Sequence, residues 1–219
     1  LDKENPQCRK APKTPFEEWV WSLDFSPDGA LLAASGLQSG SVSVWNATTG
    51  ELVFNSGEPK IYEVPTNAFS PDGTLLAAVN EAEIVVYDVA TWKEVVRQPL
   101  EGAWLGKVVF TPDGRNLVGA SDAEANVVVV DTETWEQSAV LTGHRGKIKD
   151  VDVSPDGRLI ASSDSNGLVR IWDLSTGEAL QGIPLQEQVQ NVEFVDERHL
   201  LVTESNGPPA YLMTVDVDE

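Results

Sequence analysis

Few side chains in this sequence are suited to metal binding or nucleophilic catalysis. There are two histidines, His144 and His199, and one cysteine, Cys8. A catalytic triad or a metal site needs several such groups that converge on one point. The two histidines fall in different sequence repeats, so we do not expect them to share a site. We therefore predict that the protein is not an enzyme and has no catalytic residues, no metal and no cofactor. A lone cysteine also excludes an intrachain disulfide.

Four aspartates recur at regular intervals and could suggest paired carboxylates or a cation site. They are Asp28, Asp72, Asp113 and Asp156. Each follows a proline and precedes a glycine, and this order is typical of a tight turn, because proline fixes φ and glycine accepts a positive φ. One carboxylate per repeat should be spread around a rim, too far from its neighbours for acid–base catalysis. Turn formation accounts for the whole series.

These turns belong to a repeat that runs through the chain. The phrase Phe/Val-Ser/Thr-Pro-Asp-Gly starts at residues 25, 69, 110 and 153, and a worn copy follows at 194–197. The intervals are 41 to 44 residues, which indicates a repeat architecture. A residue that ends a hydrophobic strand keeps the same phase, at positions 45, 87, 130, 172 and 215.

Each repeat is predicted to form four short strands, a to d. In the fourth repeat these are Ile148–Val153, Leu159–Ser163, Leu168–Asp173 and Glu178–Ile183. A four-stranded sheet cannot bury both faces alone, so such units stack radially as the blades of a β-propeller. We expect the large residues Trp21, Phe25, Phe69 and Phe110 to fill the gaps between neighbouring sheets. The fold class is therefore all-β, with about five blades in this chain.

The chain resembles the WD-repeat family of β-propellers, most closely in the fourth repeat. Gly143-His144 precedes strand a there, and Ile171-Trp172-Asp173 ends strand c. The resemblance implies a structural polar network of His144, Asn166 and Trp172, with Asn166 where the family usually has an aspartate. It also implies a noncatalytic scaffold that presents loops on one face, called the top face, to a protein partner. The loops on the top face are those that join strand d to the next strand a and strand b to strand c.

The resemblance suggests a domain layout in which residues 1–18 form an N-terminal segment and 19–219 one propeller domain or part of one. The approximate repeats are 19–57, 58–101, 102–143, 144–186 and 187–219. The last repeat lacks a strand d, so 7–14 could pair with 211–217 and close a five-bladed ring. Alternatively, the blades form part of a larger, seven-bladed ring that a second chain or further residues complete. We favour the larger ring.

Several loop residues are candidate contacts for a protein partner. Trp104 lies in a glycine-flanked loop predicted on the top face, although its ring could instead fold back over the blade edge. Trp92 and Trp135 are expected at the opposite face, packed on their own hairpins. The complete set of predicted partner-binding residues is Trp104, Tyr62, Arg145, Lys147, Glu81 and Glu124.

The composition narrows the choice of partner. The formal net charge is −20, from 35 acidic and 15 basic side chains. Such a surface repels phosphate backbones and anionic lipids, so we predict no nucleic-acid binding and no membrane insertion. We expect a cytoplasmic protein, with a processed secreted form as the alternative. Two other functions stay open: a regulatory segment of a larger multidomain protein, and a propeller that binds a ligand or substrate in its central channel.

Overall fold

The structure, a computed structural model, describes residues 20–36, 41–57, 66–79, 83–100, 105–121, 124–205 and 210–216. Within these ranges every regular element is a β-strand. No helix in this part of the chain is long and apolar enough to cross a membrane. The candidate closing strand, within residues 1–18, lies outside the described residues.

The strands form four sheets of four strands and one of three. The first two sheets contain β1 (Val20–Phe25), β2 (Leu31–Gly36), β3 (Val42–Asn46), β4 (Leu52–Asn55), β5 (Thr66–Phe69), β6 (Leu75–Val79), β7 (Glu83–Asp88) and β8 (Lys93–Pro99). The third contains β9 (Leu105–Phe110), β10 (Asn116–Ser121), β11 (Asn126–Asp131) and β12 (Gln137–Leu141). The last two contain β13 (Ile148–Val153), β14 (Leu159–Asp164), β15 (Leu168–Asp173), β16 (Ala179–Pro184), β17 (Val189–Phe194), β18 (His199–Glu204) and β19 (Tyr211–Thr214).

Each sheet is an antiparallel meander in which consecutive strands are neighbours. The a–b turn sets the register, and the first sheet shows how. The Ser26 hydroxyl donates to the Asp28 carboxylate at 2.6 Å and accepts from the amide of Leu31 at 2.9 Å. Gly29 takes the positive φ of 69° that this turn requires. The same hydroxyl–carboxylate bond, also 2.6 Å, recurs in the next three sheets. The aspartate series thus serves turn geometry, as predicted.

The core lies between the sheets rather than within one of them. Each of the apolar clusters joins residues of two neighbouring sheets. Phe69 and Phe110 are only 6% and 7% exposed and fill such gaps, as predicted. Trp21 and Phe25 are 55% and 57% exposed, so that prediction was wrong for them. Phe25 lies on the first sheet, and within the described residues no strand of the fifth sheet packs on it as the neighbouring sheets pack on one another. Trp21 occupies the bulge of β1, where the corresponding Lys149 of β13 is also exposed, and its indole donates to the carbonyl of Gly106 at 3.4 Å.

The c–d turns place a residue with positive φ at the edge opposite the d–a loops. Gly50 and Gly177 occupy this position in two sheets, whereas Trp92 (φ 56°) and Trp135 (φ 60°) occupy it in two others. Trp92 stacks on Phe54 of the preceding sheet, with ring centroids 4.8 Å apart, so it does not only cover its own hairpin. Trp135 is buried and meets Phe110 of its own sheet edge-on at 6.4 Å. Packing therefore compensates an unfavourable backbone conformation in both tryptophans.

Candidate interaction site

The d–a loop and the b–c turn of the fourth sheet meet at one edge, which we call the top edge. The amide of Ser165 donates to the carbonyl of Lys147 at 2.8 Å. The amide of Gly146 donates to the Asp164 carboxylate at 3.4 Å. These bonds fix the loop to the turn, so the side chains of the loop project from a defined backbone.

A buried polar network supports this edge from below. His144 Nδ1 lies 2.9 Å from the Asp164 carboxylate, and His144 Nε2 lies 2.7 Å from Ser162 Oγ. The indole Nε1–H of Trp172 donates to the same Ser162 oxygen at 2.8 Å. Because an indole can only donate, the Ser162 hydroxyl hydrogen is available to His144 Nε2. The bonds thus assign a neutral His144 that donates from Nδ1 to Asp164.

The electrostatics of the network agree with this assignment. Burial lowers the pKa of His144, and this effect exceeds the opposing hydrogen bond and charge of Asp164. Burial raises the pKa of Asp164, but the hydrogen bonds from His144 and from the amides of Leu168 and Asn166 outweigh it, so the net shift is downward. The result is a neutral imidazole that donates to an ionised carboxylate.

The acidic member of the network differs from the sequence expectation. The prediction placed Asn166 opposite His144, whereas the structure places the Asp164 carboxylate there. Asn166 contributes its backbone amide, which donates to Asp164 at 2.9 Å. Asp164 is the last residue of β14, so its side chain reaches both the loop and the turn. Ser162, which joins His144 to Trp172, was not singled out from the sequence.

The predicted partner-binding residues fall into two groups. Arg145 and Lys147 are exposed and alternate with the buried His144 and Gly146 along the d–a loop. Glu124 is exposed at the b–c turn of the third sheet. The other three predicted contacts, Trp104, Tyr62 and Glu81, lie outside the described residues. The described top edge therefore presents both signs of charge.

Gly146 is required by the close fit of this loop. A Cβ atom at this position would lie 2.7 Å from Ser165 Oγ and 3.0 Å from the backbone nitrogen of Asn166. Any larger residue would push the loop away from the turn. The spacing between Arg145 and Lys147 is thus set by packing beneath them.

The inner strands of all five sheets line a central cavity of about 400 Å³. The Asp24 and Asp152 carboxylates accept from the amides of Phe69 and Phe194, each at 2.7 Å and each on the next sheet. The charged residues that line the cavity are Asp24, Lys107, Asp150, Asp152 and Glu193. We call the carboxylate-to-amide contacts between sheets latches. These contacts were not predicted from the sequence, although an acidic residue directly precedes the last residue of strand a in three repeats.

The three aspartates in the cavity are costly to ionise. Burial raises the pKa of Asp24 and of Asp150, and it raises the pKa of Asp152 to about 6. Lys107 Nζ lies 3.8 Å from Asp150 and partly offsets that burial. Within the described ranges, no three His, Cys, Asp or Glu side chains are arranged to hold a metal ion.

Comparison with known protein families gives a match for the same repeats. The profile described as "WD40: WD domain, G-beta repeat" matches residues 9–46 and 135–173. The second segment contains the network of His144, Ser162, Asp164 and Trp172.

Several curated proteins are similar to this chain over most of its length. The chain is 29% identical over 208 residues to "Eukaryotic translation initiation factor 3 subunit I" of Coccidioides immitis. The aligned region covers 89% of this chain and 50% of that protein. The chain is 31% identical over 162 residues to "WD repeat-containing protein SL1-17" of Schistosoma mansoni, with coverages of 72% and 52%. It is 23% identical over 184 residues to "Striatin homolog" of Dictyostelium discoideum, with coverages of 76% and 22%. The chain thus spans about half the length of the first two relatives.

Proposed function

We propose that this chain is a noncatalytic scaffold that binds a protein partner at the top edge. The WD40 match confirms the resemblance to the WD-repeat family. The supporting observation is the loop 143–147, in which exposed Arg145 and Lys147 stand on a backbone fixed by a buried network. A rigid loop loses little conformational entropy on binding, which favours recognition. We propose no catalytic role.

The charges at this edge suggest how a partner is selected. Arg145 and Lys147 form part of a compact basic cluster in a chain of net charge −20. Such a local cluster attracts carboxylates of a partner, while the remaining acidic surface repels strongly acidic proteins. Charge complementarity of this kind mainly sets specificity and association rate. Glu124 adds an acceptor for a basic side chain of the same partner.

The name of one relative agrees with this role. One is named as a subunit of translation initiation factor 3, which implies assembly with other proteins. For this chain we infer only that its partners are proteins and that it acts in the cytoplasm. A partner that completes a larger propeller ring is part of the same proposal.

The central cavity supports the alternative, a ligand-binding or enzymatic propeller, less well. The carboxylates of Asp24, Asp150 and Asp152 already accept hydrogen bonds from backbone amides of the next sheet. They act as contacts between blades, so their presence in the cavity needs no ligand to explain it.

Site-specific photo-crosslinking tests the proposal. A photoreactive residue at position 145 should capture a protein that the same residue at position 158 does not. Arg158 is a matched control, because it is exposed at the opposite edge of the same sheet. The captured protein is then purified, and its affinity is measured for Arg145→Glu/Lys147→Glu and for Arg158→Glu.

We expect the double charge reversal to weaken binding by at least about 10-fold and the control to change it little. Equal affinities of the two variants, or identical crosslinks from both edges, would exclude the top edge as the binding surface. The midpoint of denaturant unfolding of each variant must equal that of the parent chain. An unchanged midpoint shows that the substitution acts on binding and not on stability.

A further inference from the structure

The fourth sheet carries an arginine at a position where the first three sheets bury small side chains. Arg170 of β15 pairs with Ser162 of β14. The register assigns the same position to Ser43, Val85 and Val128 in the first three sheets, and these residues are at most 6% exposed. Arg170 is half-buried. A charged group in such a place needs hydrogen-bond acceptors or a counter-charge, because burial without them is costly.

Packing holds the guanidinium of Arg170 in a defined place. Its Cζ lies 5.4 Å from the centroid of the Trp172 ring, a distance at which the face of an indole attracts a cation. It also lies against Gly143 of the d–a loop, where a Cβ atom would come within 3.1 Å of Cζ. The residue opposite Arg170 on β16 is Gly182, which has no side chain to cover the group. Since Gly143 is exposed, the guanidinium lies close to the surface of the top edge.

This packing provides no acceptor for the guanidinium. The Nε atom of Arg170 is buried and has no hydrogen-bond partner. Among the described residues no carboxylate forms an ion pair with Arg170. Burial lowers the pKa of His144, and the charge of Arg170 lowers it further, which agrees with an arginine whose charge is not neutralised by a neighbour.

Arg97 on β8 shows how the same chain binds an arginine with its own carboxylates. The Nε and Nη2 atoms of Arg97 donate to the Glu94 carboxylate at 2.9 and 2.6 Å, and Nη1 contacts Glu83. The chain has 35 acidic and 15 basic side chains, so carboxylates are abundant. Arg170 is thus a positioned donor to which the described part of an acidic chain offers no carboxylate.

We propose that Arg170 binds a carboxylate of the protein partner and anchors that partner at the top edge. The inference rests on the proposed function and assigns its strongest contact to a residue outside the loop. Arg145 and Lys147 follow Gly143 on the same loop, so an acidic segment that lies along the loop contacts all three cations. A guanidinium can stack on an indole and bind both oxygens of a carboxylate at the same time, which an ammonium cannot do.

The three cations should act at different steps of binding. Arg145 and Lys147 are exposed, so their charges mainly raise the association rate. Arg170 is half-buried and packed on Trp172, so an ion pair there is shielded from water. Loss of one member of such a pair mainly raises the dissociation rate. The kinetics of binding therefore separate the anchor from the steering charges.

A phage-displayed library of random short peptides is the probe. It is selected on the full chain and depleted on Arg145→Glu/Lys147→Glu, which removes peptides that bind away from the top edge. Surface plasmon resonance then gives the rates for the parent, Arg170→Gln, Arg170→Lys and Arg97→Gln. Arg97→Gln is the matched control, because it removes a strand arginine that the chain already pairs.

We expect Arg170→Gln to weaken binding of the remaining peptides by at least about 10-fold, mainly through faster dissociation. Arg170→Lys should restore little of this loss, and Arg97→Gln should bind like the parent. One acidic residue of the peptide, replaced by its amide, should weaken binding to the parent by a similar factor and leave binding to Arg170→Gln unchanged. This substitution changes only the peptide, so it does not depend on the stability of a variant.

Three results would overturn the proposal. Equal affinities of the parent and Arg170→Gln for the remaining peptides would exclude the anchor and leave the top edge as the binding surface. Independent, additive losses from Arg170→Gln and from the amide substitution at every acidic position would mean that Arg170 only positions the loop. Depletion that leaves no peptide would refute the anchor together with the proposed function.

Discussion

Ser162→Ala is the sharpest test of the network beneath the top edge. The Ser162 hydroxyl accepts from the Trp172 indole at 2.8 Å and bonds His144 Nε2 at 2.7 Å. The substitution removes one oxygen atom from a fully buried position and keeps the Cβ, so it creates almost no cavity. The loss of stability it causes measures the hydrogen bonds alone.

The magnitude follows from the groups left without partners. Trp172 is 1% exposed and His144 is 8% exposed, so water cannot replace the missing oxygen. Each buried polar group that loses its partner costs about 1–3 kcal/mol. With two such groups, Ser162→Ala should lower the free energy of unfolding by about 2–6 kcal/mol. Domains of this kind are stable by only about 5–15 kcal/mol, so the effect is large.

The adjacent residue is a matched control. Ser163 lies on the same strand and is equally buried, but its Oγ has no hydrogen-bond partner. Removal of an unpaired buried hydroxyl should leave stability unchanged or raise it by about 1 kcal/mol. Urea unfolding of both variants gives the two free energies, provided that their m-values match the parent. Similar losses in Ser162→Ala and Ser163→Ala would refute the network as a source of stability.

Two further predictions concern the cavity and the outer turns. Asp152 has a pKa of about 6 in the fold against 3.8 when exposed, so its contribution to stability is fully present below pH 3.8 and is lost as the pH rises through 6. The free energy of unfolding of Asp152→Asn should therefore exceed that of the parent by up to about 3 kcal/mol at pH 8 and should equal it below pH 4. A constant difference across this pH range would contradict the burial argument. Trp135→Ala should lower the free energy of unfolding by about 3–5 kcal/mol, and substitution of the half-buried Trp92 by Ala should lower it less, as measured by calorimetry. Equal losses of stability would mean that the edge contact of Trp135 with Phe110 adds nothing.

The repeat architecture could be predicted because its signals are local. In the fourth repeat, strands a and c have the predicted bounds, Ile148–Val153 and Leu168–Asp173. Strand b extends one residue further, to Asp164, and strand d is shifted by one residue, to Ala179–Pro184. Proline and glycine in each turn fix the positions where strands begin and end, so spacing alone places them well.

The errors arose where a contact depends on distant parts of the chain. The place of Asn166 in the turn predicts that it faces His144, but Asp164 at the strand end is the residue that does so. The repeat phase predicts position 215 at the end of strand c in the fifth repeat, whereas Met213 pairs with Leu200 there. Val215, two residues later, is also buried, and a strand with a period of two makes such a shift hard to detect.

The top edge separates the residues that fold the loop from those available to a partner. His144 and Asp164 are buried, so a partner cannot contact them, and their substitution acts on binding only through stability or loop geometry. Arg145 and Lys147 are exposed and have no part in the network, so under the proposed function their substitution should act on binding directly. Since neighbouring positions alternate between the two roles, a substitution scan of residues 144–147 should alternate between loss of stability and loss of binding. That alternation is specific to a surface held rigid from below, and a flexible charged loop would not produce it.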